Sequence, residues 1–138
     1  MDLLSAIMWL TLNIYHEARS DDQIGQIAVA HVTLNRVHNR RQTMKAVVLD
    51  PKQFSWTHQK KSWTPQDLEA LAECFESAVI ALNGYDFTQG ATHYHRVDVH
   101  PKWAKKMTYI GQFGSHKFYK KKVVIKAKTK KLKIPQRK

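Results

Sequence analysis

The chain has 138 residues, enough for one domain with a single buried core, and carries 23 Lys/Arg against 11 Asp/Glu for a formal net charge of +12. Its only cysteine, Cys74, excludes an internal disulfide, and no stretch offers the roughly eighteen uninterrupted apolar residues that a membrane-spanning helix needs. The charge is uneven: residues 1–98 hold 9 Lys/Arg and all 11 acids, whereas residues 99–138 hold 14 Lys/Arg and no acid.

The first predicted element is an apolar helix that ends at a single carboxylate. Residues 3–15 are apolar almost all round, and Glu17 follows after His16. A carboxyl group near apolar atoms has its charged form disfavoured, which raises its pKa and suits it to proton donation near neutral pH. Glu17 is therefore the candidate catalytic acid, with a helix-end glutamate paired with Arg19 or solvent as the alternative.

A second helix is predicted to begin directly after this acid. Asp21 and Asp22 can cap it, and Ile24, Ile27, Ala28, His31 and Leu34 fall on one stripe that Val29 and Val32 widen. Two helices therefore meet at Glu17. A shorter helix is predicted after Thr43, as far as Val48.

The helix after Thr64 has the clearest start and stop signals. Thr64 can serve as N-cap, Pro65 suits the first helical position, and Asp67 falls at the third. Gly84 marks its end, and Cys74 within it is predicted to be a buried thiol.

Extended segments are predicted only after Gly84. Residues 91–95 and 117–125 are rich in aromatic and β-branched residues, and Gly111 and Gly114 lie between them. Helices first and a few strands later indicate an α+β fold.

Four blocks occur in a recognisable order along the chain. The first is residues 12–37, which contain Glu17; the second is residues 47–56, with the turn Gln53-Phe54-Ser55; the third comprises residues 81–84, 90–95 and 101–103; the last comprises residues 110–111 and 116–119. Together they resemble the SleB-type cell-wall hydrolase family, the spore-cortex-lytic enzymes and their phage and bacterial relatives, over roughly residues 6–119. The family usually reads Glu-Ala-Arg-Gly-Glu at the acid, where this chain has Ser20 and Asp21 in the last two positions.

The resemblance implies a mainly helical, lysozyme-like domain with Glu17 in a cleft beside a small β lobe. It implies cleavage of peptidoglycan between N-acetylmuramic acid and N-acetylglucosamine by a lytic transglycosylase. In that reaction one glutamate protonates the glycosidic oxygen and then acts as base toward the sugar's 6-hydroxyl. A single acid also fits the residues, since Asp50, Asp86 and Asp98 are isolated in sequence. Whether water or the 6-hydroxyl completes the reaction stays open.

Aromatic and hydroxyl side chains are expected to line a groove for sugar rings. By position in the family blocks and on the predicted strand, the candidates are Phe54, Ser55, Trp56, His93, Tyr94 and His95. Core packing is an equal alternative for Trp56 and Tyr94. Tyr15 and Arg19 flank Glu17 and are predicted to orient it or contact substrate, although Arg19 can equally neutralise Asp21 or Asp22.

Two other functions compete with glycan cleavage. His93 and His95 point the same way on a strand and could join His16, His100 or His116 in a zinc site, as in amidases that cut between muramic acid and L-alanine. No His-Glu-x-x-His helix is present, so we expect no metal and no cofactor. The basic, aromatic C-terminal region could alternatively bind nucleic acid, but no nucleic-acid motif occurs, and we expect no obligatory nucleic-acid partner.

The ends of the chain give expectations about partners and location. We expect residues 1–119 to form the catalytic domain and residues 120–138 a basic, partly flexible extension that attracts anionic wall polymer or a membrane surface. Asp2 stands where a signal peptide would have a basic segment, which predicts synthesis in the cytoplasm without a signal peptide. Delivery to the bacterial wall would then follow phage-driven lysis, as for a phage endolysin. We expect a monomer.

Overall fold

The computed structural model describes residues 2–50, 53–59 and 62–122, and it places the helices before the strands. The helices are α1 (Leu3–Ala18), α2 (Gln23–Arg40), α3 (Met44–Leu49) and α4 (Leu68–Asn83). The strands are β1 (His93–Arg96), β2 (Met107–Phe113) and β3 (His116–Lys121), and short 3-10 helices span Ser55–His58 and Lys102–Lys106. The predicted α+β class is confirmed. No helix in these described ranges is long and apolar enough to cross a membrane.

Each α-helix begins at a side chain that accepts a backbone N–H from three residues further on. Asp2, Asp22, Thr43 and Asp67 fill this N-cap position for α1 to α4, each satisfying one of the amides left free at a helix start. The predicted cap Asp22 is confirmed, and so is the short helix predicted to begin after Thr43. Thr64 as a cap is wrong: α4 starts after Asp67, because the amides of Gln66 and Asp67 bond the hydroxyl of Tyr15 instead of continuing a helix from Thr64.

The hydrophobic core has two parts, and they decide where the sheet lies. The larger part packs α1, α2, α3 and α4 together, and the buried thiol of Cys74 belongs to it, as predicted. The smaller part lies between α2 and the sheet and contains Ala28, Val29 and Val32 of α2 against Phe118 of β3. Because a fully buried phenylalanine contributes about 1.5–3 kcal/mol, Phe118 is a main attachment of the sheet to the helices.

The sheet is antiparallel, with β3 in the centre between β1 and β2. Tyr94 of β1 pairs with Phe118, and the β2–β3 register shifts between Tyr109 and Gly111. The strand predicted at residues 91–95 begins at His93, and β2 was not predicted, because Gly111, which lies within it, falls between the two predicted extended segments. Of the segment predicted at residues 117–125, β3 covers the part up to Lys121.

The predicted boundary at residue 119 falls inside β3. Residues 123–138, which include most of the predicted basic extension, lie outside the described part of the chain. The expected attraction of this extension to polyanions therefore stays a prediction.

The turn between β2 and β3 approaches the start of α2 more closely than any side chain would allow. A Cβ on Gly25 would lie 3.1 Å from the Cα of Gly114, and a Cβ on Gly114 would lie 2.9 Å from Oδ2 of Asp21. Gly114 also has φ of +62°, a conformation that other residues rarely adopt. Two glycines thus permit the sheet to dock beside the α1–α2 corner.

This contact can be tested by comparing two glycines that share a positive φ. Gly90 has φ of +87°, but a Cβ there would meet no described atom within 4 Å. We expect Gly90→Ala to cost about 1–2 kcal/mol for backbone strain alone, and Gly114→Ala to cost clearly more because it also displaces Asp21. Urea unfolding of both variants measures the difference. Equal losses would show that the approach to Asp21 tolerates a methyl group.

Candidate active site

Glu17 lies in the last turn of α1, where the sheet covers the end of the helix. The Tyr94 hydroxyl donates a hydrogen bond of 2.5 Å to Oε1 of Glu17, across 77 residues of sequence. Successive strand residues face opposite sides, so Tyr94 points toward the helices while His93 and His95 point away. The candidate acid predicted from sequence is therefore contacted by one of the predicted groove residues.

Burial controls the protonation of this pair. Burial raises the pKa of Glu17 above its ordinary value, and the hydrogen bond from Tyr94 and the charge of Arg36 offset part of that effect. Burial, together with the neighbouring Glu17, raises the pKa of Tyr94 well above its ordinary value. Tyr94 therefore stays a neutral donor while Glu17 holds its proton to a higher pH than an exposed glutamate.

Arg36 of α2 is a further candidate residue, which the sequence patterns did not indicate. Its Nε donates to the carbonyl oxygen of Thr92 at 2.8 Å, and its guanidinium lies over the Phe54 ring at 5.1 Å. The residue is only 8% exposed, yet its Nη1 has no hydrogen-bond partner among the residues that the structure describes. The available signal was its position: Arg36 continues the buried stripe of Val29 and Val32 at helical spacing.

Asp21 fixes the corner after Glu17 to the sheet. Ser115 Oγ donates to its Oδ1 at 2.6 Å, and His116 Nδ1 lies 3.1 Å from its Oδ2. Burial lowers the pKa of His116, and the carboxylate of Asp21 works against that effect. Both oxygens of Asp21 are thus occupied by β3 and the turn before it, so this residue is an anchor rather than a second reactive acid.

Asp86, another acid near the sheet, is also fully engaged. Its carboxylate accepts the amides of Thr88 and Gly90 and the Nδ2 of Asn35. These bonds hold the pKa of Asp86 below its ordinary value despite its burial. Asp86 therefore shapes the loop before β1.

Four of the predicted contact residues lie in the framework around the acid. Trp56 is 5% exposed and donates its Nε1–H to Asn13 at 2.8 Å, so it has the core position left open as its alternative. Phe54, predicted only as a groove residue, is also buried, at 2% exposed. Tyr15 accepts the two amides before α4, and Arg19 lies over the Tyr15 ring at 4.7 Å. Within the described chain neither Tyr15 nor Arg19 is hydrogen-bonded to Glu17.

The remaining predicted residues, Ser55, His93 and His95, are more accessible than Phe54 and Trp56. Ser55 is exposed between Phe54 and Trp56. His95 donates from Nδ1 to the carbonyl of Arg96 at 2.7 Å and therefore accepts the Tyr119 hydroxyl at Nε2, at 2.8 Å. His93 and His95 also pack against the ring of Trp103. In the described ranges no three His, Cys, Asp or Glu side chains are grouped to hold a metal ion.

Two cavities flank this framework. The larger, about 690 Å³, lies between α1 and α4, is lined mainly by apolar side chains and does not include Glu17. The smaller, about 500 Å³, includes Arg36 and is lined by Arg36, Asn39, Arg40, Gly90, Thr92, His93, Lys120 and Lys121. The smaller cavity thus shares Arg36 with the surroundings of the acid, whereas the larger one is remote from the chemistry.

Comparisons with known proteins agree with this arrangement. A family model described as Cell Wall Hydrolase matches residues 20–119, a range that begins three residues after Glu17. The spore cortex-lytic enzyme of Oceanobacillus iheyensis is 32% identical over 110 residues, covering 78% of this chain and 38% of that protein. The corresponding enzyme of Bacillus cereus is 33% identical over 112 residues, covering 78% and 41%. The chain spans about two fifths of the length of these relatives.

Solved structures extend the likeness to the fold. The catalytic domain of the germination-specific lytic transglycosylase SleB from Bacillus anthracis has a TM-score of 0.69 at 29% identity, over 83% of this chain and 93% of that one. The catalytic domain of Bacillus cereus SleB has a TM-score of 0.68 at 30% identity, over 84% and 91%. The shared fold includes the helices and the small sheet.

The burial of Glu17 predicts how its replacement changes stability with pH. Above the ordinary glutamate value of 4.5, an unfolded chain ionises at this residue while the folded chain resists, so wild type loses stability as pH rises. Glu17→Gln keeps an oxygen for Tyr94 and removes this penalty. We expect its free energy of unfolding, relative to wild type, to increase from about pH 4 to about pH 7. Urea titrations with Glu69→Gln, an exposed control, should show the increase only for residue 17.

Proposed function

The chain belongs to the cell wall hydrolase family, and on that premise we propose that it cleaves peptidoglycan glycan strands between N-acetylmuramic acid and N-acetylglucosamine. The observation that carries the proposal is Glu17 itself, a partly buried carboxyl with a raised pKa, hydrogen-bonded by a neutral tyrosine where helix and sheet meet. Similarity to a SleB catalytic domain described as a lytic transglycosylase supports the reaction class.

In this proposal Glu17 first donates a proton to the glycosidic oxygen. Tyr94 occupies Oε1, which leaves Oε2 as the oxygen that carries the proton. When the carboxylate forms, the hydrogen bond from Tyr94 and the charge of Arg36 favour it, since both lower the pKa of Glu17. The same carboxylate can then accept a proton from the attacking hydroxyl, so one residue serves as acid and base.

A one-acid mechanism agrees with the state of Asp21 and Asp86. Enzymes that use two carboxylates need a second one free to act as nucleophile or to activate water. Here Asp21 is held by Ser115 and His116, and Asp86 by the loop before β1. We propose that the substrate's N-acetyl group steadies the sugar cation and its 6-hydroxyl replaces water, which gives a 1,6-anhydro product.

Other contacts with the wall are proposed from exposure and charge. Ser55 and the His93–His95 face of β1 remain the candidates for contact with sugar or peptide groups, because their side chains are less buried than Phe54 and Trp56. The basic extension after residue 119 would attract anionic wall polymers, an effect that added salt screens. We propose that the chain acts as a monomer.

The proposed role of Glu17 predicts a large loss of activity in Glu17→Gln. Glutamine cannot donate the proton, so glycan release should fall by about 100-fold or more, while Glu69→Gln stays at the wild-type rate. Purified peptidoglycan is digested in EDTA and the fragments are identified by mass spectrometry. We expect 1,6-anhydro sugars from wild type. Fragments with ordinary reducing ends would show that water, and not the 6-hydroxyl, completes the reaction. Free stem peptides would show that the protein is an amidase and does not cleave the glycan.

Tyr94 should set the alkaline limit of activity. Cleavage needs protonated Glu17, so the rate falls as pH passes the Glu17 pKa. Tyr94→Phe removes a hydrogen bond that favours the carboxylate, which raises the pKa of Glu17 further. We expect the alkaline limb of the kcat/KM profile to move to higher pH in Tyr94→Phe and to stay in place in Tyr109→Phe, an exposed control. A limb that moves to lower pH would contradict this role.

A further inference from the structure

The smaller cavity has a strongly cationic lining, and most of its cationic residues have no role in the proposed cleavage step. Arg36 and Arg40 of α2 face it on one side, and Lys120 and Lys121 of β3 face it on another. Arg40 is bonded to Asp50 at 3.4 Å and to Gln53 at 3.0 Å. The other three cations have no carboxylate within ion-pair distance in the described part of the chain, so the wall keeps an excess of positive charge. We call this cavity the basic pocket.

Arg36 gives the basic pocket a built binding group rather than a solvated surface charge. Its side chain is nine-tenths buried, one bond from Nε to Thr92 fixes its orientation, and Nη1 has no partner among the described residues. A buried guanidinium N–H without an acceptor is costly, and an anionic oxygen is the acceptor it binds best. The position of Arg36 therefore indicates an anionic ligand.

The ionisation of His93, at the rim, agrees with this positive field. Its pKa is lowered first by burial and then by the nearby charges of Arg36, Lys121 and Arg40. Its Nδ1 is hydrogen-bonded to the Thr92 hydroxyl at 2.9 Å, so Nε2 is the ring nitrogen left for a hydrogen bond to a ligand. The rim thus offers polar contacts next to the cationic wall.

The basic pocket is close to the reacting atoms. Arg36 lowers the pKa of Glu17 through its charge, and its Nε bonds the carbonyl of Thr92, two residues before Tyr94. Glu17 does not line the pocket, and Arg36 is the residue that connects the two. The basic pocket has a volume of about 500 Å³, which lies within the range of small-molecule sites.

We propose that the basic pocket binds a carboxylate of the peptide stem on the N-acetylmuramic acid next to the cleaved bond. This assignment rests on the proposed glycan cleavage. The stem hangs from C3 of muramic acid, on the same ring as the anomeric carbon whose bond would be cleaved, and carries free carboxylates, so a sugar placed at Glu17 brings such an anion to the part of the molecule that holds Arg36. Guanidinium and ammonium groups bind carboxylates through charge-assisted hydrogen bonds. The enzyme would thereby select glycan that carries charged peptides.

The test compares two forms of the same glycan. Peptidoglycan strands freed of phosphate-containing polymers are used either native or with their stem carboxyls converted to methylamides by carbodiimide and methylamine. Wild type should cleave native strands with a kcat/KM roughly tenfold higher, the equivalent of one charge-assisted hydrogen bond. The preference should shrink as salt is raised.

Two double variants with the same charge change assign this preference to the pocket. Lys120→Gln with Lys121→Gln should reduce the native-to-methylamide ratio to about one. Lys105→Gln with Lys106→Gln alters exposed lysines of the 3-10 helix outside the pocket lining, and should keep the wild-type ratio. Equal cleavage of both substrates by wild type, a ratio preserved in the pocket variant, or equal loss in both variants would each overturn the assignment.

Binding separates this proposal from the catalytic one. Glu17→Gln is titrated calorimetrically with short native and methylamide strands, and we expect tighter binding of the native strands that disappears when the pocket lysines are also replaced. If wild type cleaves neither substrate, glycan cleavage fails as the function, and the difference in binding still decides for or against the pocket. Equal binding of the two strands would reject it.

Discussion

The hydrogen bond from Tyr94 to Glu17 joins the last turn of α1 to the first strand of the sheet, and the candidate site exists only while these two elements stay together. No sequence-local force holds them. The sheet is kept in place by Phe118 packed against α2, by Asp21 bonded to Ser115 and His116, and by the close approach of Gly25 and Gly114. The anchor begins four residues after the acid, so the same corner that positions Glu17 also positions its partner.

The contacts of the α1–α2 corner stabilise the fold, whereas the ionisation of Glu17 in a partly buried position destabilises it. A carboxyl removed from water disfavours its own ionisation, and at neutral pH this lowers the free energy of unfolding. Arg36 has a comparable cost, because its guanidinium is buried with Nη1 lacking a partner among the described residues. Both groups lie beside the sheet rather than in the larger core of α1 to α4. The larger core therefore stabilises the fold, while the unfavourably buried polar groups lie at the helix–sheet junction.

Local patterns were enough to predict the helices and the acid, and they failed where long-range pairing decides. Periodicity and capping residues located α1 to α4 to within a few residues, and the apolar surroundings of Glu17 were visible in its own helix. The start of α4 was misplaced because the Tyr15 hydroxyl, some 50 residues away, takes the amides before Asp67. Strand β2 was missed because Gly111 sits at a shift in register within a strand, a position that sequence cannot separate from a turn. Arg36 was overlooked, and Asp21 was predicted as a helix cap or a partner of Arg19 and not as an anchor, because both residues acquire their roles from partners in or next to the sheet.

Arg36 connects the acid to the basic pocket, and its position implies a coupling between substrate binding and proton transfer. In the free protein its charge favours the Glu17 carboxylate and so works against the protonated form that cleavage needs. An anion bound in the basic pocket would neutralise part of that field, and the pKa of Glu17 would rise toward the value set by burial alone. A charged stem peptide would therefore do more than add affinity, since it would also help Glu17 keep its proton until the glycosidic oxygen accepts it. A glycan without that charge would meet a less protonated acid. The preference for the charged stem peptide would therefore be expressed in kcat as well as in KM.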